Sequence, residues 1–180
     1  MGDRNRPRAF EEDSAKALGL TDLRAGFHEV LDNSGTVSTT ICVESIWTLR
    51  VIPFLDQRGF ITVVNSGTGN GEVDMRRAVI RTAGAQVVRD VSDDPVFTIL
   101  PTVDLLANPI SNTRDGISYE LIVSTQATHA TIQFSNPCTE PWRSLEVAAL
   151  QFAAHIAEGC DNETLGKFVS TWGRYCERPL

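Results

Sequence analysis

The sequence predicts an α+β fold, in which a mostly antiparallel sheet from the middle of the chain packs against N-terminal and C-terminal helices. Three observations predict it. Apolar residues recur at steps of three and four near both ends of the chain, which is the period of a helix with one buried face. In the middle they alternate at a step of two, the period of a strand with one wet face. The helical and strand signals are segregated rather than interleaved, and segregation marks α+β folds, with helices on one face of an antiparallel sheet.

Taken in order, residues 1–9 read as a flexible arm carrying Arg4, Arg6 and Arg8, and residues 10–180 as a single domain. Phe10 to Leu18 favour helix, and Gly19 is a natural stop. Thr21 can cap a second helical stretch, on which Leu23, Phe27, Val30 and Leu31 share a face until Asn33-Ser34-Gly35 ends it. Val37 to Val51 is the strongest strand signal, with Val37, Thr39, Ile41, Val43, Trp47, Leu49 and Val51 on one parity. A strand of that length would span roughly 50 Å, beyond the usual strand, so a bend or bulge is expected near Ser45-Ile46. Phe60 to Val64 follows as a second apolar strand.

A glycine-rich loop, residues 65–71, comes next with Gly67, Gly69 and Gly71. Residues 72–83 read either as a short helix stopped at Gly84 or as a strand. Gln86 to Val91 reads as a strand, Asp93-Asp94-Pro95 as a turn and Val96 to Val103 as a further strand near an edge. Tyr119 to Val123 and Ala130 to Phe134 alternate as a hairpin joined by Thr125 to Thr128. Thr139 and Pro141 open the clearest helix, whose stripe is Trp142, Leu145, Ala149, Phe152 and Ile156. Gly159 ends it. Asp161 can cap a last helix with Leu165, Phe168, Val169, Trp172 and Cys176 on one side.

The chain has 180 residues, 42% of them apolar and 22% charged, the composition of a globular domain. A chain of this length buries roughly 70% of the surface its unfolded form exposes, so it needs neither disulfide nor metal to hold a core. Its formal net charge of −7 repels nucleic acid and anionic lipid and suits a basic protein partner. Of the 16 basic residues 14 are arginine, which coding bias alone explains. No apolar run follows the polar start, and none approaches the length of a membrane span. The four cysteines, Cys42, Cys138, Cys160 and Cys176, form no CxxC pair, so free thiols and a cytoplasmic location are expected.

The sharpest candidate for chemistry is the glycine loop. If 72–83 is a helix, strand, loop, helix and strand make a βαβ unit, with Asp90 where a ribose-binding acid would sit. Against this, the spacing is GxGxG, no lysine lies in the loop, and Glu72 and Asp74 follow directly. Asp90, Asp93 and Asp94 could hold a hard cation, but acids beside Pro95 mark a turn more simply. His129 with Cys138, or His155 with Cys160, could form a nucleophile–base pair only if folding brings them into hydrogen-bond reach. No zinc spacing is present. Trp47, Trp142 and Trp172 fit buried faces, with Trp172 the one best placed to serve a partner.

The expectation is therefore a non-enzymatic, protein-binding or accessory module with no cofactor, no metal, no nucleic acid and no membrane, and compatible with a homo-oligomer. The alternative is a nucleotide- or small-ligand-binding enzyme using Gly67, Gly69, Gly71 and Asp90. A self-assembling subunit would instead betray itself by an exposed apolar patch or an open edge strand.

Overall fold

The computed structural model describes residues 6–31, 34–54, 56–67, 73–103, 116–137 and 139–177. Helix α1 (Arg6–Leu18) is followed by β1 (Gly26–Leu31), β2 (Val37–Pro53), β3 (Gly59–Gly67), β4 (Val73–Thr82) and β5 (Ala85–Asp90). A short helix α2 (Pro95–Ile99) and a 3-10 turn (Leu100–Thr102) lead on to β6 (Ile117–Thr125) and β7 (His129–Ser135). Helices α3 (Trp142–Ala157) and α4 (Glu163–Cys176) close the chain. The strands form one seven-stranded antiparallel sheet in the order β5-β4-β3-β2-β6-β7, with β1 paired to the N-terminal part of β2.

The long strand β2 is the axis of this sheet. One of its edges carries β3, and the other carries β1 over Val37–Val43 and β6 over Ser45–Pro53. The expected irregularity is a bulge: Val43 faces Ser66 and Ser45 faces Asn65, leaving Glu44 as the extra residue. An extra residue exchanges the faces of everything beyond it. Val43 therefore joins Ile46 in one apolar cluster while Trp47, Leu49 and Val51 belong to another.

The larger cluster sets Trp47, Leu49, Val51, Ile61, Val63, Ile80, Tyr119 and Leu121 of the strands against Trp142, Leu145, Phe152 and Ile156 of α3 and Leu165, Phe168 and Trp172 of α4. The smaller sets Ala15, Leu18 and Leu20 against Val43, Ile46, Val64 and Val79. All three tryptophans are wholly buried, so Trp172 is core and not the partner surface the sequence suggested. Its indole N–H is committed inward to Tyr119.

Two expectations on secondary structure are corrected, and one open alternative is decided. The second helix at 21–31 is absent; residues 21–25 are bends and 26–31 form β1. The helical spacing of its apolar residues was outweighed by a ladder with β2, and Gly26 at φ +136° has left helical space altogether. Val96 to Val103 is α2 and the 3-10 turn instead of a strand. There Asp94 caps the helix by accepting from the Phe97 N–H and Pro95 takes the first helical position, so a cap signal was read as a turn. Of the two readings of 72–83 the strand holds: β4 and β5 are joined by the tight Ala83-Gly84 turn, with Gly84 at φ +84°.

Smaller adjustments concern helix ends. α1 begins at Arg6, inside the stretch read as an arm. At the start of α3 the Glu140 carboxylate, not the Thr139 hydroxyl, accepts from the Ser144 N–H. Asn162, not Asp161, caps α4, accepting from the Thr164 and Leu165 N–H groups. Among the described residues no helix is long and apolar enough to cross a membrane.

Candidate functional site: an acidic groove on the sheet

Parity along β2 and β6 sends Thr48, Glu120 and Ile122 away from the larger core cluster. They floor a groove of about 670 Å³. Its walls are Glu11 and Glu12 of α1, the bends carrying Thr21, Asp22, Leu23 and Arg24, and His129 and Thr131 of β7. Leu23 and Ile122 supply an apolar patch, threonines supply hydroxyls, and four carboxylates face one arginine and one histidine.

Each part of the groove is held from below. Thr48 shares a hydrogen bond of 2.9 Å with Thr62 of β3. Arg50, the next residue on that face, is ion-paired to Glu120, and its guanidinium lies 5.3 Å from the centre of the Phe60 ring. The Arg50 Nε is buried without a hydrogen-bond partner. The 21–25 wall is fastened by His28, a buried side chain of β1. Its Nε2–H donates to the Arg24 carbonyl at 2.8 Å, which leaves Nδ1 to accept from the Thr21 hydroxyl at 2.9 Å. The Ala25 N–H donates to Ser124 of β6. α1 is tied to the sheet by the ion pair of Asp13 with Arg81.

Two further polar clusters lie in the interior. At the Tyr119 end, the Tyr119 hydroxyl donates to buried Glu146 at 2.5 Å and accepts from the Trp172 indole at 2.9 Å. Arg143 also pairs with Glu146 and donates to the Cys176 carbonyl. Burial first, then the Glu146 charge, pushes the Tyr119 hydroxyl well above its ordinary range and the Cys176 thiol up to about 12. A thiol held so firmly protonated is no nucleophile. In the second cluster Asp94 accepts from the Trp47 indole at 2.8 Å and from Asn65 at 3.2 Å, fixing α2 to β2 and β3. Both clusters join elements and expose no reactive atom.

The residues singled out from sequence fare unevenly. Gly67 ends β3, and Gly69 and Gly71 lie outside the described residues. The segment after the loop is β4, paired antiparallel to β3, so no βαβ unit forms there. Asp90 is paired with Arg77 at 2.8 Å instead of presenting a free carboxylate. Asp93 is exposed, and Asp94 is the buried cap just described. His129 lies on the wet face, as its parity predicted, and lines the groove. Its supposed partner Cys138 lies outside the described residues. His155 is 3.7 Å from Glu158, while Cys160 accepts from Arg89 at 3.5 Å. Among the described residues no three His, Cys, Asp or Glu side chains stand close enough to share a metal ion.

Sequence reasoning missed the groove. The acids Glu11, Glu12 and Asp22 were legible as charges near the N-terminus, but their convergence on Glu120 depends on long-range strand pairing. Glu146 left a clearer trace, being an acid set one turn after Trp142 on a helix face that is otherwise apolar. Compared with known proteins, the chain matches no family, none of the curated proteins and none of the solved structures.

Proposed function

We propose that the protein is a non-enzymatic binding module whose groove takes a basic segment of another protein. The observation that supports this best is the lining of the groove: Glu11, Glu12 and Asp22 stand around the apolar patch of Leu23 and Ile122, Glu120 on the floor is already paired with Arg50, and Arg24 is the cation of the wall. A lysine or arginine side chain meets both demands, laying its methylene stem on the apolar patch and its charged head among the carboxylates. The net charge of −7 favours the same encounter at long range. In this reading the N-terminal and C-terminal helices cover opposite faces of the sheet, which the split of neighbouring strand residues between the two clusters, Ile46 from Trp47 and Val79 from Ile80, supports, and the groove opens beside α1.

The test uses a fluorescent Lys-Leu-Lys-Leu-Lys peptide and its Glu-Leu-Glu-Leu-Glu counterpart. The basic peptide is expected to bind, with affinity falling as salt rises. The variant Glu11→Gln/Glu12→Gln/Asp22→Asn should lose that binding at least tenfold while melting like the parent. Equal binding of both peptides, or undiminished binding by the triple variant, overturns the reading.

A further inference from the structure

Among the described residues the sheet has three strands paired on one side only, β5, β7 and β1, and they are finished differently. β5 carries Arg89 and Asp90, and β1 carries Glu29, so a strand laid along either would meet charged residues. β7, His-Ala-Thr-Ile-Gln-Phe-Ser, carries no lysine, arginine, acid or proline, and its register with β6 runs without a bulge from Ser124/His129 to Ser118/Ser135. Nothing among the described residues pairs with its outer side.

The register fixes which backbone groups are open. The hairpin closes with the Thr125 N–H donating to the Thr128 carbonyl, and the Asn136 N–H donates to the Ile117 carbonyl at the far end. Hydrogen-bonded pairs alternate with non-bonded ones in an antiparallel ladder. Ala130, Ile132 and Phe134 are thus the residues bonded to β6, and the N–H and C=O groups of His129, Thr131, Gln133 and Ser135 point out from the edge.

We infer that this edge pairs antiparallel with β7 of a second copy of the chain, about a two-fold axis at Ile132. That register sets Thr131 opposite the partner's Gln133 and His129 opposite the partner's Ser135, so the outward groups of each pair exchange both hydrogen bonds. Antiparallel partners share a face. Ile132 therefore meets its own counterpart, and Ala130 meets the partner's Phe134, on the side where Ile132 and Phe134 already join the larger core cluster. No charge meets a like charge. For a protein of net charge −7, an uncharged, self-complementary edge is where two copies approach with least repulsion. A two-fold axis uses the edge once and closes the assembly, whereas an open edge invites indefinite growth.

Sedimentation velocity on the full chain across a concentration series should show a monomer–dimer equilibrium. Thr131→Pro removes an outward N–H and leaves the ladder with β6 untouched, which an edge strand tolerates. Thr131→Lys/Gln133→Lys sets lysines opposite one another. Both should sediment as monomers with unchanged circular dichroism, and the lysine pair decides the matter if the proline variant does not fold. Ile132→Cys should cross-link into a disulfide dimer under mild oxidation, because directly opposed residues in such a ladder lie within disulfide reach. Gln86→Cys on β5 should not. A parent that stays monomeric at every concentration, a dimer that persists in the lysine variant, or a dimer in which Ile132→Cys fails to cross-link would each overturn the proposal.

Discussion

Glu146 is the residue on which the interior polar chemistry turns. A carboxylate buried to 1% exposure is costly unless every oxygen has a donor, and here Tyr119 and Arg143 supply them. Its charge adds to burial in holding two neighbours protonated, Tyr119 well above its ordinary range and Cys176 at about 12. Burial and the Glu44 carboxylate act in the same direction on Cys42. In the unfolded chain a thiol ionises near about 8.5 and a tyrosine near about 10. Above those values the unfolded chain holds fewer protons than the native one, so stability must fall with rising pH. The contribution of these groups is fully present below about pH 8.5 and falls as pH rises above it; that of Cys176 drains away toward about pH 12, by up to about 1.4 kcal/mol per pH unit. Urea melts from pH 8 to 11 should show that decline. Cys176→Ala should make it shallower, whatever the variant does to stability at pH 8. A slope identical to that of the parent would mean that Cys176 titrates normally.

Among the elements, Phe168 of α4 packs against the backbone of β3 where a side chain would otherwise stand. Gly59 begins β3 opposite Val51, in the row that also contains Tyr119, and a Cβ at Gly59 would fall inside the Phe168 ring of α4. The ring occupies the place of the missing side chain. Gly59→Ala should therefore cost about 1–3 kcal/mol in denaturant melts through overpacking. Phe168→Leu should recover part of that loss, so that the two changes together cost less than their sum. Simple additivity would show that the ring moves aside freely. The helices themselves were legible: the stripes of α3 and α4 became Trp142, Leu145, Phe152 and Ile156 in one and Leu165, Phe168 and Trp172 in the other, as periodicity alone implied. What misled was local signal outweighed by distant pairing, at Leu23 to Leu31, and a cap mistaken for a turn at Asp94-Pro95. Both errors fall where one segment carries the marks of two structures, which only the partner strand or the packed core resolves.

For the whole molecule, the sheet was foreseeable in kind but not in order, because strand order is decided by which edges meet and not by any one strand's composition. The groove was illegible for the same reason: it is assembled from α1, the 21–25 bends, β2, β6 and β7, which no short window of sequence contains. That order carries a consequence in time. β2 to β5 form a meander of neighbouring hairpins, each closed by a short stretch of chain. The opposite edge of β2 instead waits for β6, matching Pro53 with Ile117 and Ser45 with Thr125 across the intervening strands, α2 and the segment beyond it. Closing so long a loop costs more chain entropy before any contact repays it. Pulsed hydrogen exchange during refolding should find amides at the β3/β4 junction protected before those at β2/β6 and β6/β7. Simultaneous protection would mean that the sheet condenses as one nucleus. In the interval before β6 arrives, the centre of the finished sheet is itself a naked edge, Trp47 and Leu49 included, and the late docking of one hairpin ends the period in which the chain is most exposed to misassociation.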